Sequence, residues 1–199
     1  FFLINEKPSS SKDPFALRRS AIGLLRILIE NKLTLKIKDL INYNINLLKD
    51  QGVQPLNANT EKEILVFLKE RMKNILKEKK IKPDIIEASL SSHVGDNFFD
   101  LYKKNQLINK YIDKDVGKNA LSSYRRAFNI IEKEGKKIEG RPDAVLFRKK
   151  EEENLYTKIN EIQKAFTTRE ESKNYEDLLI NLAEIKPLTD SFFDNVVVN

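Results

Sequence analysis

Apolar residues recur at three- and four-residue spacing along nearly the whole chain, and no stretch alternates apolar with polar residues long enough for a sheet. Leu17, Ala21, Leu24, Leu25 and Leu28 share one face and predict a first helix. Asp13 followed by Pro14 reads as its N-cap and first helical residue, since proline there lacks only an amide that would have no partner. Leu40, Ile41, Ile45 and Leu48 predict a second helix over 36–49, ended ahead of Gly52. The segment VQPLNANT, 53–60, is a connector. Thr60 and Glu63 then have the spacing of a capping box, opening a helix to 78 with Ile64, Leu65, Phe67, Leu68, Met72 and Ile75 inward.

Further helices are predicted over 84–91, from Asp96 as a cap to 113, from Asp115 as a cap to 134, and over 148–166. A second capping box, Thr168 with Glu171, starts one to 184, and Pro187 separates it from TDSFFDNVVVN. The acids of RKKEEE, 148–153, read as a solvated helix start. The fold class is all-α, a multi-helix bundle, and the connector divides the chain into 1–58 and 59–199.

The helix over 115–134 is the most informative. Val116, Ala120, Leu121, Tyr124, Ala127, Phe128 and Ile131 form an expected core face, opposite Lys118, Ser122, Arg125, Arg126, Asn129 and Lys133. Such a polar stripe can lie along a phosphate backbone, with guanidinium planes free to stack on or pair with exposed bases. The alternatives are an ordinary solvated face, or Arg125 paired to an acid on a neighbouring helix. In the preceding helix, Tyr111 stands near Lys103, Lys110 and Lys114, where an aromatic ring can stack a base or pack on another helix.

Composition narrows the chemistry. The chain holds 36 basic against 30 acidic residues, a net charge of +6 with an isoelectric point near 9.3, which favours an anionic partner. There is no cysteine, which excludes disulfides, thiol nucleophiles and cysteine zinc sites. The single histidine, His93, sits in a helix junction with no carboxylate or nucleophile arranged beside it, so it reads as structural. There is no P-loop or dinucleotide fingerprint, no metal-ligand spacing and no apolar run long enough for a membrane span. No catalytic residue is assigned. The chain opens on Phe1-Phe2 and closes on a hydrophobic run, as expected of a segment from a longer protein in a cytoplasmic, reducing setting.

The blocks SKDPFALRRSAIGLLRIL (11–28), SYRRAFNII (123–131) and FFDNVVVN (192–199) together resemble the C-terminal part of the beta subunit of bacterial tetrameric glycyl-tRNA synthetase. The resemblance spans nearly the whole chain. Ser10 departs from the family's glycine at the head of the first block, and the family continues past Asn199 into another short helix. The resemblance implies the end of a helical HD-type region followed by an all-helical anticodon-binding domain of the DALR type. It further implies binding of glycine tRNA through the anticodon arm, with no cofactor in this chain. ATP-dependent glycine activation would belong to a separate alpha subunit of an alpha2beta2 enzyme. Lys12, Arg18, Arg19, Arg125, Arg126 and Asn129 match family motif positions, and the first three are open between clamping two helical regions together and facing tRNA. A helical assembly module without RNA contact is the competing reading. An HD-type phosphohydrolase fails, because His93 alone cannot supply its metal-binding His-Asp pair.

Overall fold

The computed structural model describes residues 1–9, 11–92, 96–134, 140–168 and 174–196, and its regular structure in those residues is helical. They fall into two compact units, residues 1–109 and 110–199. No helix among the described residues is long and apolar enough to cross a membrane.

Unit 1 contains α1 (Leu17–Glu30), α2 (Ile37–Asp50), α3 (Thr60–Glu78), α4 (Pro83–Ser92) and most of α5 (Phe98–Tyr111). The long α3 is its spine, packed by α1, α2, α4 and a 3-10 turn at Phe2–Ile4. Leu25 and Leu28 of α1 meet a core that includes Leu68, Met72, Ile75 and Leu76 of α3, Ile86 of α4, and Phe98 and Leu101 of α5, all buried. The wholly buried Asn105 is satisfied, its amide donating to the Leu101 carbonyl at 2.9 Å and its oxygen accepting from Ser89 at 2.9 Å. Because α3 packs on α1 and α2, the expected boundary at residue 58 falls inside unit 1.

Unit 2 holds α6 (Asp115–Glu134), α7 (Lys150–Thr168), α8 (Tyr175–Ala183) and α9 (Ile185–Asn195). Both α6 and α7 pack against α8 and α9. Its buried apolar side chains are few, with Ile162, Leu178 and Ala183 the principal ones among the described residues.

Local details correct several expectations. Asp13 does cap α1, its carboxylate accepting from the Leu17 and Arg18 amides at 2.9 and 3.0 Å. Pro14 nevertheless precedes the helix, in a turn closed by the Ala16 amide on the Asp13 carbonyl, and Ala16 takes a positive φ of 51° that delays the start to Leu17. The Thr60–Glu63 box does not form. Thr60 is itself the first helical residue and donates to the Asn57 carbonyl, while Glu63 is held by Lys7 and Asn57. Asp96 caps α2, accepting from the Lys38 amide at 2.6 Å, and Asn97 takes over the cap of α5. In α2 the buried side chains are Ile37 and Ile41, and Leu40 and Leu48 are exposed. Pro187 lies within the first turn of α9, where the amide it lacks would have had no helical partner. Glu152 caps α7 by accepting from the Arg148 and Lys149 amides, which holds its carboxyl below the usual range. Ser10, His93, Gly135, the Thr168–Glu171 box and the end of FFDNVVVN lie wholly or partly outside the described residues.

Candidate nucleic-acid interface

The two arginines of SYRRAFNII are separated by their helix. Successive residues turn by about 100° around an α-helix, so Arg125 and Arg126 face different surroundings. Arg126 points to α9, where Nη1 donates to Asp190 at 3.0 Å and Nη2 to Asp194 at 2.7 Å. Its guanidinium also lies 5.2 Å from the Phe193 ring centroid. The bond to Asp194, then that to Asp190, raises the Arg126 pKa above its ordinary value. Asp190 is held low, chiefly by Lys186 and then by Arg126. This pairing joins two of the recognisable motifs, SYRRAFNII and FFDNVVVN, and fixes α6 on α9. The acid on a neighbouring helix exists, but it engages Arg126 and leaves Arg125 exposed with no partner among the described residues.

That pairing also sets the rotation of α6, and here the large residues of the expected core face turn outward, while Val116, Ala120 and Ala127 stay half-buried. Leu121 is 36% exposed, Tyr124 63%, Phe128 42% and Ile131 49%. The buried positions of α6 are small residues instead. Gly117 is buried, with a β-carbon placed on it falling 2.3 Å from the Tyr111 carbonyl oxygen, and Ser123 is buried with its hydroxyl donating to the Asn119 carbonyl. Side chains this small admit close approach, whereas Tyr124 and Phe128 could not fit the same gap. The two rings instead stack on each other outside, at 5.7 Å between centroids.

The outward surface of α6 therefore combines an apolar stripe, Leu121, Tyr124, Phe128 and Ile131, with a bordering polar one. Arg125, Lys118, Asn129 and Lys133 are all exposed and have no partner among the described residues. Tyr124 and Phe128 are the components that periodicity assigned to the interior; alternation of ring and cation along one helix was the available signal.

The remaining expected residues are dispersed. Tyr111 is half-buried, its hydroxyl donating to Glu176 while Lys110 and Lys114 sit 4.7 and 5.1 Å from its ring centroid. Lys103 lies in unit 1, 5.7 Å from the Phe99 ring centroid. Arg18 donates to the Ser9 carbonyl, the Lys12 amide donates to the Ser9 hydroxyl at 3.1 Å, and Arg19 is exposed. No group of residues able to hold a metal ion occurs among the described residues.

Comparison with known proteins agrees with this division of the chain. Residues 1–91 match the family described as glycyl-tRNA synthetase beta subunit, and residues 120–199 match the DALR anticodon binding domain. The glycine–tRNA ligase beta subunit of Rickettsia africae (strain ESF-5) is 37% identical over 197 residues, which is 99% of this chain and 28% of the relative. The subunits of Rickettsia canadensis (strain McKiel) and Rickettsia conorii (strain ATCC VR-613 / Malish 7) are 38% and 36% identical over the same shares. The chain thus spans little more than a quarter of the length of these relatives. Matched at both ends, the chain is similar along 99% of its residues to glycyl-tRNA synthetase beta subunits.

Proposed function

We propose that this chain is the tRNA-binding part of a glycyl-tRNA synthetase beta subunit, and that its second unit docks on the anticodon arm of glycine tRNA. The observation that carries the reading is the outward face of α6, where the exposed, unpartnered Arg125 stands among Lys118, Asn129 and the exposed rings of Tyr124 and Phe128. Cations of this kind meet phosphates, and a ring or a guanidinium plane can take a splayed loop base. The chain would contribute no catalytic group. Glycine activation with ATP would occur on an alpha subunit of an alpha2beta2 ligase, with this chain supplying the tRNA for aminoacylation.

Titration of the 199-residue chain with labelled glycine tRNA and with a mismatched tRNA tests the reading. Tighter, salt-sensitive binding of glycine tRNA is expected. Arg125→Ala weakens it by about 1–3 kcal/mol if Arg125 reads a base, and by less if it meets only phosphate. Equal affinity for both tRNAs, or an indifferent Arg125, overturns it. The exposed apolar stripe beside Arg125 supports a second reading, a module that docks another region of the synthetase. Binding to the remaining synthetase with no tRNA affinity at low salt would select that reading.

A further inference from the structure

A cleft of about 560 Å³ opens in unit 1, and the motif arginine Arg18 lines it. The residues Lys62, Val66, Phe67, Glu70 and Arg71 of α3 form one wall, at three- to four-residue spacing that turns them to the same side. Phe2 adds a ring that meets Phe67 edge-on at 5.3 Å.

The charges in this cleft do not cancel. Glu63 is already neutralised by Lys7 at 2.7 Å and accepts from Asn57. That leaves Arg18, Lys62 and Arg71 against Glu70 in the lining, with Asp13 beyond it already bonded to the Leu17 and Arg18 amides, so the cations are still in excess. Arg71 has no ion pair among the described residues; its guanidinium rests on the Phe67 ring, 4.1 Å from the centroid. Burial first, and the like charge of Arg18 second, push the Arg71 pKa below its ordinary value. Arg18 is anchored by its bond to the Ser9 carbonyl, so it cannot swing away from its neighbour without losing that contact. Two half-buried guanidinium groups turned into one concavity are relieved by an anion between them. Guanidinium forks match phosphate oxygens in pairs. The half-exposed Val66 and the Phe2 ring give an apolar wall beside the cations, of the kind a nucleobase can lie against.

We propose that this cleft binds the phosphate of a nucleotide, with Arg18 and Arg71 as the paired forks, Lys62 at the rim and the Phe2–Val66 wall against the base. Two sources carry that chemistry, a free mononucleotide and an unpaired RNA strand. The site is independent of the α6 surface and can stand or fall without it.

The test is calorimetric titration of the 199-residue chain with adenosine monophosphate and, separately, with an unphosphorylated single-stranded octaribonucleotide. Arg71→Gln weakens whichever probe binds by about tenfold, as expected for loss of one charge-assisted contact. Glu70→Gln, which removes the opposing charge, tightens the same probe severalfold, and a gain cannot come from misfolding. Arg125→Gln leaves the mononucleotide isotherm unchanged, which separates failure here from failure of the anticodon-arm reading. Binding of the mononucleotide identifies a free nucleotide as the source; binding of the octamer alone identifies a strand. The proposal is overturned if neither probe binds, or if affinity responds to neither Arg71→Gln nor Glu70→Gln.

Discussion

Unit 1 and unit 2 are built from the same element, the amphipathic helix, yet they are held together differently. In unit 1 large side chains from its helices disappear into a common interior, where Leu25, Met72, Leu76 and Ile86 retain no exposure at all. Unit 2 packs α6 and α7 against α8 and α9 with few large side chains buried and fastens its helices with charges, Arg126 to Asp190 and Asp194, Lys158 to Glu184, and Lys110 to Glu176. Its large apolar residues on α6 stay outside. Burial of apolar area stabilises far more per residue than exposed ion pairs do. Unit 1 therefore has the character of a scaffold, and unit 2 keeps rings and cations on its surface at the cost of core.

Shortening a core side chain tests this difference most directly. Met72→Ala removes a wholly buried side chain from the centre of α3 and should destabilise by about 2–5 kcal/mol, the range for such deletions in a closed core. Urea unfolding followed by circular dichroism reads the loss, and amide exchange of peptides from 60–78 assigns it to unit 1. The comparison breaks if Leu178→Ala costs unit 2 as much.

Gly117→Ala probes the close approach of α6 to the end of α5. The added methyl carbon would lie 2.3 Å from the Tyr111 carbonyl oxygen and 2.7 Å from the Ile112 α-carbon, both backbone atoms that have to shift. Overpacking of this kind costs about 1–3 kcal/mol, despite the better helix propensity of alanine. Amide exchange should accelerate through α6 and leave α3 unchanged.

The ion pairs give a weaker, pH-dependent contrast. Asp190 has a folded pKa below its ordinary value, chiefly because Lys186 and then Arg126 hold its ionised form. The stability it contributes is fully present above the unfolded carboxylate pKa, and is lost as pH falls through the lower folded value. Protection of α6 and α9 amides, measured against the intrinsic exchange rate at each pH, should therefore fall as the solution is acidified through the carboxylate range. Asp190→Asn should flatten that response in unit 2 and leave unit 1 as it was. An unaltered acid response in the variant would show that the α6–α9 clamp does not depend on this carboxylate.

These contrasts also show what the sequence made legible. Helix class, most helix bounds to within a few residues and the α3 core followed from periodicity, because Leu68, Met72 and Ile75 of α3 do turn inward, whereas Leu40 and Leu48 of α2 already break the rule. The same rule failed for α6. Its apolar stripe is real, but Arg126 is bound to α9, so the rotation is set by contacts 64 and 68 residues away. Caps failed for a related reason. Asp96 serves α2, 58 residues earlier in the chain, and Thr60 gives its hydroxyl proton to Asn57, neither of which local spacing reports. The arginine doublet was legible as a motif, but the division of labour within it belongs to the fold.

The smallest stability effect is expected where sequence reasoning foresaw a large one. Were Tyr124 a core residue, Tyr124→Ser would open a cavity and cost several kcal/mol. At 63% exposure it contacts mainly Phe128 and solvent, so the substitution should change stability by no more than about 0.5 kcal/mol, the range for surface sites. Stability and tRNA affinity then separate at one residue. A chain that unfolds at the same urea concentration but binds glycine tRNA less tightly assigns the ring to recognition, and restored binding with Tyr124→Phe would show that stacking, not the hydroxyl, is what the tRNA meets. A destabilisation as large as that of Met72→Ala would instead return Tyr124 to the interior, and with it the distinction between a unit built on its core and a unit that presents its apolar side chains outward.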